Sequence, residues 1–196
     1  SRSALANPAF CEKVLEGLEG DAPEDLKDPL FFTLLKDPVV LSSGVVVDRT
    51  SALDERGELR FRSCPFTRQP LKRDVYPLLF LKERLVDFVK TRLEQIFKLA
   101  DTAMQAGNGE GAARDLATAL RAVEVGRSFL KDIGRHTYLH EAERMARLHL
   151  QLLAEAGAWE AAQWLDAHEE LCRVLLMRGD PKKGGEALEG AASEMR

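Results

Sequence analysis

Residues 37–77 read DPVVLSSGVVVDRTSALDERGELRFRSCPFTRQPLKRDVYP. Two short β-branched runs, Val39-Val40-Leu41 and Val45-Val46-Val47, flank Ser42-Ser43-Gly44. That is a hairpin signal, with Gly44 free to take a positive φ in the turn. Asp48 to Ser51 then offers helix caps, and the spacing predicts a short helix over Ala52-Leu53-Asp54-Glu55-Arg56, ended by Gly57. Cys64-Pro65-Phe66-Thr67-Arg68-Gln69-Pro70 is a proline-bounded loop, and Tyr76-Pro77 leads into a longer helix. Upstream, Leu30-Phe31-Phe32 follows Asp28-Pro29 in a first loop. Three adjacent large apolar residues in a loop cannot all point inward. Phe31 is the one expected in the core, and an exposed apolar cluster rimmed by Asp28 and Lys36 reads as a partner site.

Outward from this stretch the composition changes. Seven of the eight prolines precede residue 78, and 78–180 has none while being rich in Ala, Leu, Arg and Glu. Proline breaks helices and those four residues favour them. The expected organisation is a tail or short helix over 1–22, a loop-rich module over 23–90 and a helical region over 91–196. Leu81, Leu85, Val89, Leu93, Ile96, Ala100 and Ala103 give the first long helix one apolar face, which could pair with a second copy. Further helices are expected over 110–133, 137–156 and 158–178, with a last one starting at Asp180-Pro181. Small residues at Ala112, Ala161, Ala162 and Gly184 follow the glycine-ended helices and suggest close inter-helix packing. Their spacing is too irregular for a 34-residue repeat, so the pattern is a helical-hairpin array.

The chain of 196 residues has net charge −4 and 45% hydrophobic residues, as a folded globular protein does. No run of about 18 apolar residues occurs, so no membrane span is expected. Basic and acidic residues number 12 and 11 over 23–90, then 14 and 17 over 91–196. Neither part reads as a polyanion binder, and the basic stretch Arg60, Arg62, Arg68, Lys72 and Arg73 is too short for a nucleic-acid surface. The three cysteines, Cys11, Cys64 and Cys172, lie far apart, which fits a reducing compartment and not a disulfide scaffold. They also lack the paired spacing of a structural zinc site, so no metal and no cofactor is expected. His136 and His140 stand four apart on an expected helix but have no evident further ligand. Trp159 and Trp164 read as inter-helix contacts. A start at Ser1-Arg2-Ser3 reads as a fragment or a processed product.

Asp37-Pro38-Val39-Val40, Ser43-Gly44, Asp48-Arg49, Cys64-Pro65-Phe66-Thr67, Gln69-Pro70-Leu71 and Tyr76-Pro77 in this order and spacing resemble a U-box domain. The resemblance covers about 65 residues. It implies an α+β fold: a zinc-free RING-like module with a short β-hairpin, a central helix and two long loops, here followed by the all-α array. U-boxes pin by hydrogen bonds, ion pairs and packing the loops that RING fingers pin with metal. Ser43, Asp48, Arg49 and Cys64 sit where such a network would be, although Asp48 also reads as a simple helix cap. The chain departs from the family at Val47, where an aromatic is common, at Leu78, where Asn is usual, and at Glu55 and Arg56, where the central helix is usually apolar. Leu53, Leu59 or Phe61 would fill that last gap.

The resemblance further implies a ubiquitin-protein ligase of the non-covalent kind, a transferase that works with a ubiquitin-conjugating enzyme and ubiquitin. By matching positions, Leu30 and Phe32 form the apolar part of the conjugating-enzyme groove and Pro65 its wall. Arg68 takes the place of a basic linchpin, whose five fixed donors can bridge two partners. Cys64 has no nearby His and sits at a structural position, so it is not read as a nucleophile. The helical region would recruit a protein substrate, mediate homodimerisation, or only stabilise the module. The rival reading is a non-enzymatic helical adaptor or dimerisation scaffold whose U-box no longer activates a conjugating enzyme. No nucleic-acid or membrane partner is implied. The expected compartment is the cytoplasm, extending to the nucleus, or a host cytoplasm if the chain is an effector.

Overall fold

The computed structural model describes residues 18–105, 111–157, 161–179 and 184–185. The chain divides into two compact units, residues 19–91 and the residues from 92 onward. The architecture is α+β, a small sheet with a short helix and two long loops, followed by packed helices. No described helix is long and apolar enough to cross a membrane.

In the first unit, β1 (Pro38–Val40) and β2 (Val46–Asp48) form the hairpin, and β3 (Tyr76–Pro77) adds to the other edge of β1, giving the antiparallel order β2-β1-β3. Val39 pairs with Val47 and with Pro77, and Val40 pairs with Val46 and with Tyr76. Side chains alternate across a strand. Val39 and Val47 are therefore buried while Val40 and Val46 stay half-buried on the other face. Gly44 sits in the turn at φ 82°, and nothing lies within 4 Å of where its Cβ would be, so backbone conformation alone calls for glycine there.

The short helix forms earlier than its sequence suggests. Asp48 caps α1 (Arg49–Ala52), accepting a hydrogen bond from Thr50 N, and the helix ends at Leu53. Asp54 explains why it goes no further. Its Oδ1 accepts from the amides of Arg56 and Glu58, each at 2.9 Å, closing a turn in which Gly57 takes φ 77°. A short acidic side chain that bonds its own backbone competes with helix. Arg60 completes the exit: its amide reaches Ala52 O, and its Nε reaches Thr50 O and Leu53 O. Val39, Leu41, Val47 and Ala52 form the core, and Leu30, Leu53, Leu59, Leu71 and Val75 pack against it. Leu53 and Leu59 thus cover the side where Glu55 and Arg56, both exposed, cannot.

α2 (Leu79–Gln105) is a single long helix. Its periodic apolar face is buried from Leu85 to Ala103, so that face is already spent within one chain. In the second unit α3 (Ala112–Ile133), α4 (Leu139–Glu155) and α5 (Ala161–Met177) pack in succession, α3 on α4 and α4 on α5. Gly134 ends α3 at φ 98°, and a 3-10 turn, Arg135–Thr137, leads into α4. Of the small residues expected at helix contacts, Gly184 is buried, and a Cβ there would meet Leu176 Cδ2 and Cγ at 3.4 Å. Ala162 is exposed and Ala112 half-buried, whereas a Cβ on Gly126 in α3 would meet Met145 Cε at 2.7 Å and Ile96 Cδ1 at 2.8 Å. Gly126 is thus a point of close helix approach. Polar ties join the same helices. Arg127 reaches His149 Nδ1 at 2.9 Å and Asp166 at 2.8 Å, linking α3, α4 and α5. Arg135 pairs with Glu170 at 2.8 Å. Arg144 lies 4.0 Å over the Phe97 ring and pairs with Glu94. His136 stands in the 3-10 turn and His140 in α4, so the two do not share a helix face. Trp164 is buried and stacks on His168. The expected helix after Asp180-Pro181, Trp159, and most of the tail over 1–22 lie outside the described residues.

Candidate functional site

Two loops of the first unit are built on one plan. In the first, Asp28 N donates to Thr33 O and Phe32 N to Asp28 O, each at 2.8 Å. In the second, Cys64 N donates to Gln69 O and Arg68 N to Cys64 O, again each at 2.8 Å. Each is closed by an antiparallel bridge, Lys27 with Leu34 and Ser63 with Pro70. Each has proline after its anchor residue, Pro29 and Pro65. Each has a non-glycine residue in the left-handed region at its fifth position, Phe32 at φ 58° and Arg68 at φ 59°. The anchor side chains also match in role. Asp28 Oδ1 accepts from Leu30 N at 2.7 Å, and Cys64 Sγ from Thr67 N at 3.5 Å.

The anchors tie both loops to the hairpin. Asp28 is buried, and its Oδ2 accepts from Asp48 N at 2.7 Å. Asp48 is buried in turn. Its Oδ2 accepts from the amides of Lys36 (2.6 Å) and Asp37 (3.0 Å), and its Oδ1 from Thr50 N and Thr50 Oγ1. A buried carboxylate needs such donors, since desolvation without them is costly. Asp48 is therefore both helix cap and loop tie. Arg49 Nε donates to Asp37 at 2.6 Å, with Lys82 3.5 Å away on the same carboxylate. Burial alone pushes the Asp37 carboxyl upward, but these two cations outweigh it and hold the group below its ordinary range.

The second loop is tied at the opposite end of β2. Lys72 N donates to Ser42 Oγ in the hairpin turn at 2.9 Å, and the neighbouring Ser43 Oγ is buried near the Cys64 sulfur without a hydrogen bond of regular geometry. Burial pushes the Cys64 thiol up, while the Ser43 hydroxyl and the Thr67 and Phe66 amides pull it down, leaving it at about 7. The sulfur is nonetheless sealed, since Cys64 is 1% exposed. Its lowered value reflects donors aimed at it and not access to a reactant.

These ties leave specific side chains outside. Phe31 is 65% and Phe32 75% exposed, which corrects the expectation that Phe31 lies in the core. Both loop closures consume backbone groups, and Leu30 already fills the inward position against the hairpin core. Asp28 is likewise an interior anchor and not part of a solvated rim. In the second loop Pro65, Phe66 and Arg68 are exposed. Among the described residues no three His, Cys, Asp or Glu side chains are grouped to hold a metal ion. Asp28, expected as a rim residue, and Asp37, expected only as part of the Asp37-Pro38 motif, are the two members of the hydrogen-bond network that the sequence reading did not assign to it. The pair Asp28-Pro29-Leu30 and Cys64-Pro65-Phe66 is the sequence signal that could have found Asp28.

The family profile of the U-box domain matches residues 22–94, which contain both loops and the hairpin that ties them. This segment is a U-box domain. Curated relatives agree. The E4 ubiquitin-protein ligase UFD2 of Saccharomyces cerevisiae is 35% identical over 112 residues, covering 48% of this chain and 11% of the relative. Ubiquitin conjugation factor E4 of Schizosaccharomyces pombe is 41% identical over 75 residues, 37% of this chain and 7% of the relative. Ubiquitin conjugation factor E4 A of Mus musculus is 40% identical over 77 residues, 38% of this chain and 7% of the relative. The chain thus spans a small part of the length of these relatives. In this U-box, hydrogen bonds to Asp28, Asp48 and Cys64 hold the loops.

Proposed function

We propose that this chain is a ubiquitin-protein ligase whose U-box binds a ubiquitin-charged conjugating enzyme. The observation that carries the reading is the pair of matched, hydrogen-bonded loops that hold Phe32, Pro65 and Arg68 outward on a rigid frame. Large apolar side chains exposed on an ordered loop mark a partner surface. Phe32 supplies its first-loop half together with the exposed edge of the half-buried Leu30, and Pro65 its wall. Arg68 is the linchpin that bridges ubiquitin and the conjugating enzyme through its guanidinium donors. The names of the relatives, ubiquitin conjugation factors and a ubiquitin-protein ligase, support the same reading.

The chemistry belongs to the partners. A substrate lysine amine attacks the thioester carbonyl, the amide forms, and the conjugating-enzyme cysteine leaves as a thiol. The U-box holds the ubiquitin still so that the thioester stays in attack geometry, which is a gain in effective concentration. Cys64 takes no acyl group, because its sulfur is closed to solvent. The helical region from 91 on is the part that recruits the protein substrate. Isotope-edited NMR of the chain titrated with an uncharged conjugating enzyme tests the docking step. Shifts should concentrate on residues 28–33 and 64–69 and be weakened by Phe32→Ala; shifts confined to the helical unit would refute the assignment.

A further inference from the structure

Residues 56–73 hold six cations, Arg56, Arg60, Arg62, Arg68, Lys72 and Arg73, and one carboxylate, Glu58, in a chain whose net charge is −4. The fold gathers them on one loop. Ser63 pairs with Pro70, Leu71 N donates to Arg62 O at 3.0 Å, and Lys72 N donates to Ser42 Oγ at 2.9 Å. Arg60 is tied down by the carbonyls of Thr50 and Leu53. The other five are exposed, and among the described residues none of them has a carboxylate partner. Elsewhere in the same unit Lys27, Arg49, Lys82 and Arg84 are each paired with one. Like charges crowded on a short loop repel one another, and an opposite charge brought to the loop relieves that repulsion.

The strip runs into Pro65 and Arg68, the second-loop part of the conjugating-enzyme surface proposed above. An apolar contact with a charged rim is the usual anatomy of a specific protein interface. Rim charges of one sign chiefly set the encounter rate and reject partners of the wrong sign. We propose that Arg62, Lys72 and Arg73 form a docking strip for an acidic patch on the conjugating enzyme, so that this U-box selects conjugating enzymes acidic beside their docking face. The inference rests on the ligase reading and adds a selectivity determinant to it. A protein partner fits better than nucleic acid, because Glu58 within the strip and Asp74 at its end would repel a uniformly anionic phosphate backbone while a protein surface can answer both signs.

The test is association kinetics of the full chain with a panel of conjugating enzymes, at low and at physiological salt. Wild type is compared with Arg62→Glu/Arg73→Glu and with Arg62→Lys/Arg73→Lys, each first melted to show that it is folded. The wild-type association rate should fall steeply with salt. The Glu variant should associate about tenfold more slowly at low salt and lose the salt dependence, with its dissociation rate changed less than about twofold. The Lys variant should behave as wild type. Equal low-salt association by the Glu variant would overturn the proposal. So would salt-dependent binding of a single-stranded oligonucleotide that the Glu variant loses while its association with the conjugating enzyme is unchanged. If wild type binds no conjugating enzyme at either salt, the ligase reading fails and the strip proposal falls with it, a result distinct from the first.

Discussion

Replacing Arg68 by glycine should leave the U-box as stable as before, or slightly more stable, while removing its function. Arg68 is exposed, has no ion pair among the described residues, and holds φ 59°. An L-residue pays about 1–2 kcal/mol for the left-handed region, which glycine avoids. Glycine gives back roughly 0.5–1 kcal/mol through its greater freedom in the unfolded chain. The balance is about 0–1.5 kcal/mol in favour of Arg68→Gly, or at most several degrees of rise in the melting temperature of a domain this size. The opposite holds for function. Losing charge-assisted hydrogen bonds to ubiquitin and the conjugating enzyme, at roughly 1.5–3 kcal/mol, should slow lysine-dependent discharge by about 10- to 150-fold. Arg68→Asn separates loop freedom from the lost guanidinium, since Asn tolerates the left-handed region; it should be equally slow. Thermal melts and single-turnover discharge read both halves. A glycine variant that melts several degrees lower would refute the strain argument, and a wild-type discharge rate in either variant would refute the linchpin.

Asp28→Ala removes the acceptor of Leu30 N and Asp48 N; with two amides left unpaired, urea unfolding of the U-box should show a loss of about 2–4 kcal/mol. Gly126→Val should destabilise the helical unit by about 1–3 kcal/mol through overpacking against Met145 and Ile96, seen as a lowered calorimetric transition. His149 is held down to about 4 by burial and by Arg127, against an ordinary 6.5. Below pH 6.5 the unfolded chain takes up a proton that the folded one refuses, so stability present above that pH is lost as pH falls to about 4. The loss is about 3 kcal/mol, and His149→Gln should remove that part of the pH dependence in chemical denaturation.

The hairpin, the order of the helices and the family were all legible in residues. The β-branched runs marked the strands, Gly44 marked the turn, and the apolar period from Leu81 to Ala103 marked the long helix. What escaped reading was set by hydrogen bonds that no periodicity encodes. Asp48 reads as a cap and Asp54 as a residue inside the helix, but Asp54 closes a turn beyond α1, so the helix runs over 49–52 and not 52–56. Phe31 looked like core because apolar residues usually are, yet Leu30 fills the inward place and loop closure turns its neighbour out. Asp28 looked like a solvated rim residue because nothing local shows that Asp48 N, twenty residues on, lacks a partner without it. Gly126 gives no sign in the helix expected over 110–133, since close approach is fixed by what lies across from it. The loop residues Leu30, Phe32, Pro65 and Arg68 come from the family pattern; the structure supplies their frame, with Phe32, Pro65 and Arg68 exposed and Leu30 half-buried.

Lysine-dependent discharge of ubiquitin from a panel of conjugating enzymes tests the central claim most directly, with Phe32→Ala as the companion because this side chain is 75% exposed and its removal should leave the melt unchanged. The ligase account predicts that wild type accelerates discharge from at least one conjugating enzyme and that Phe32→Ala, still folded, does not. Discharge no faster than the conjugating enzymes alone across the panel would contradict it.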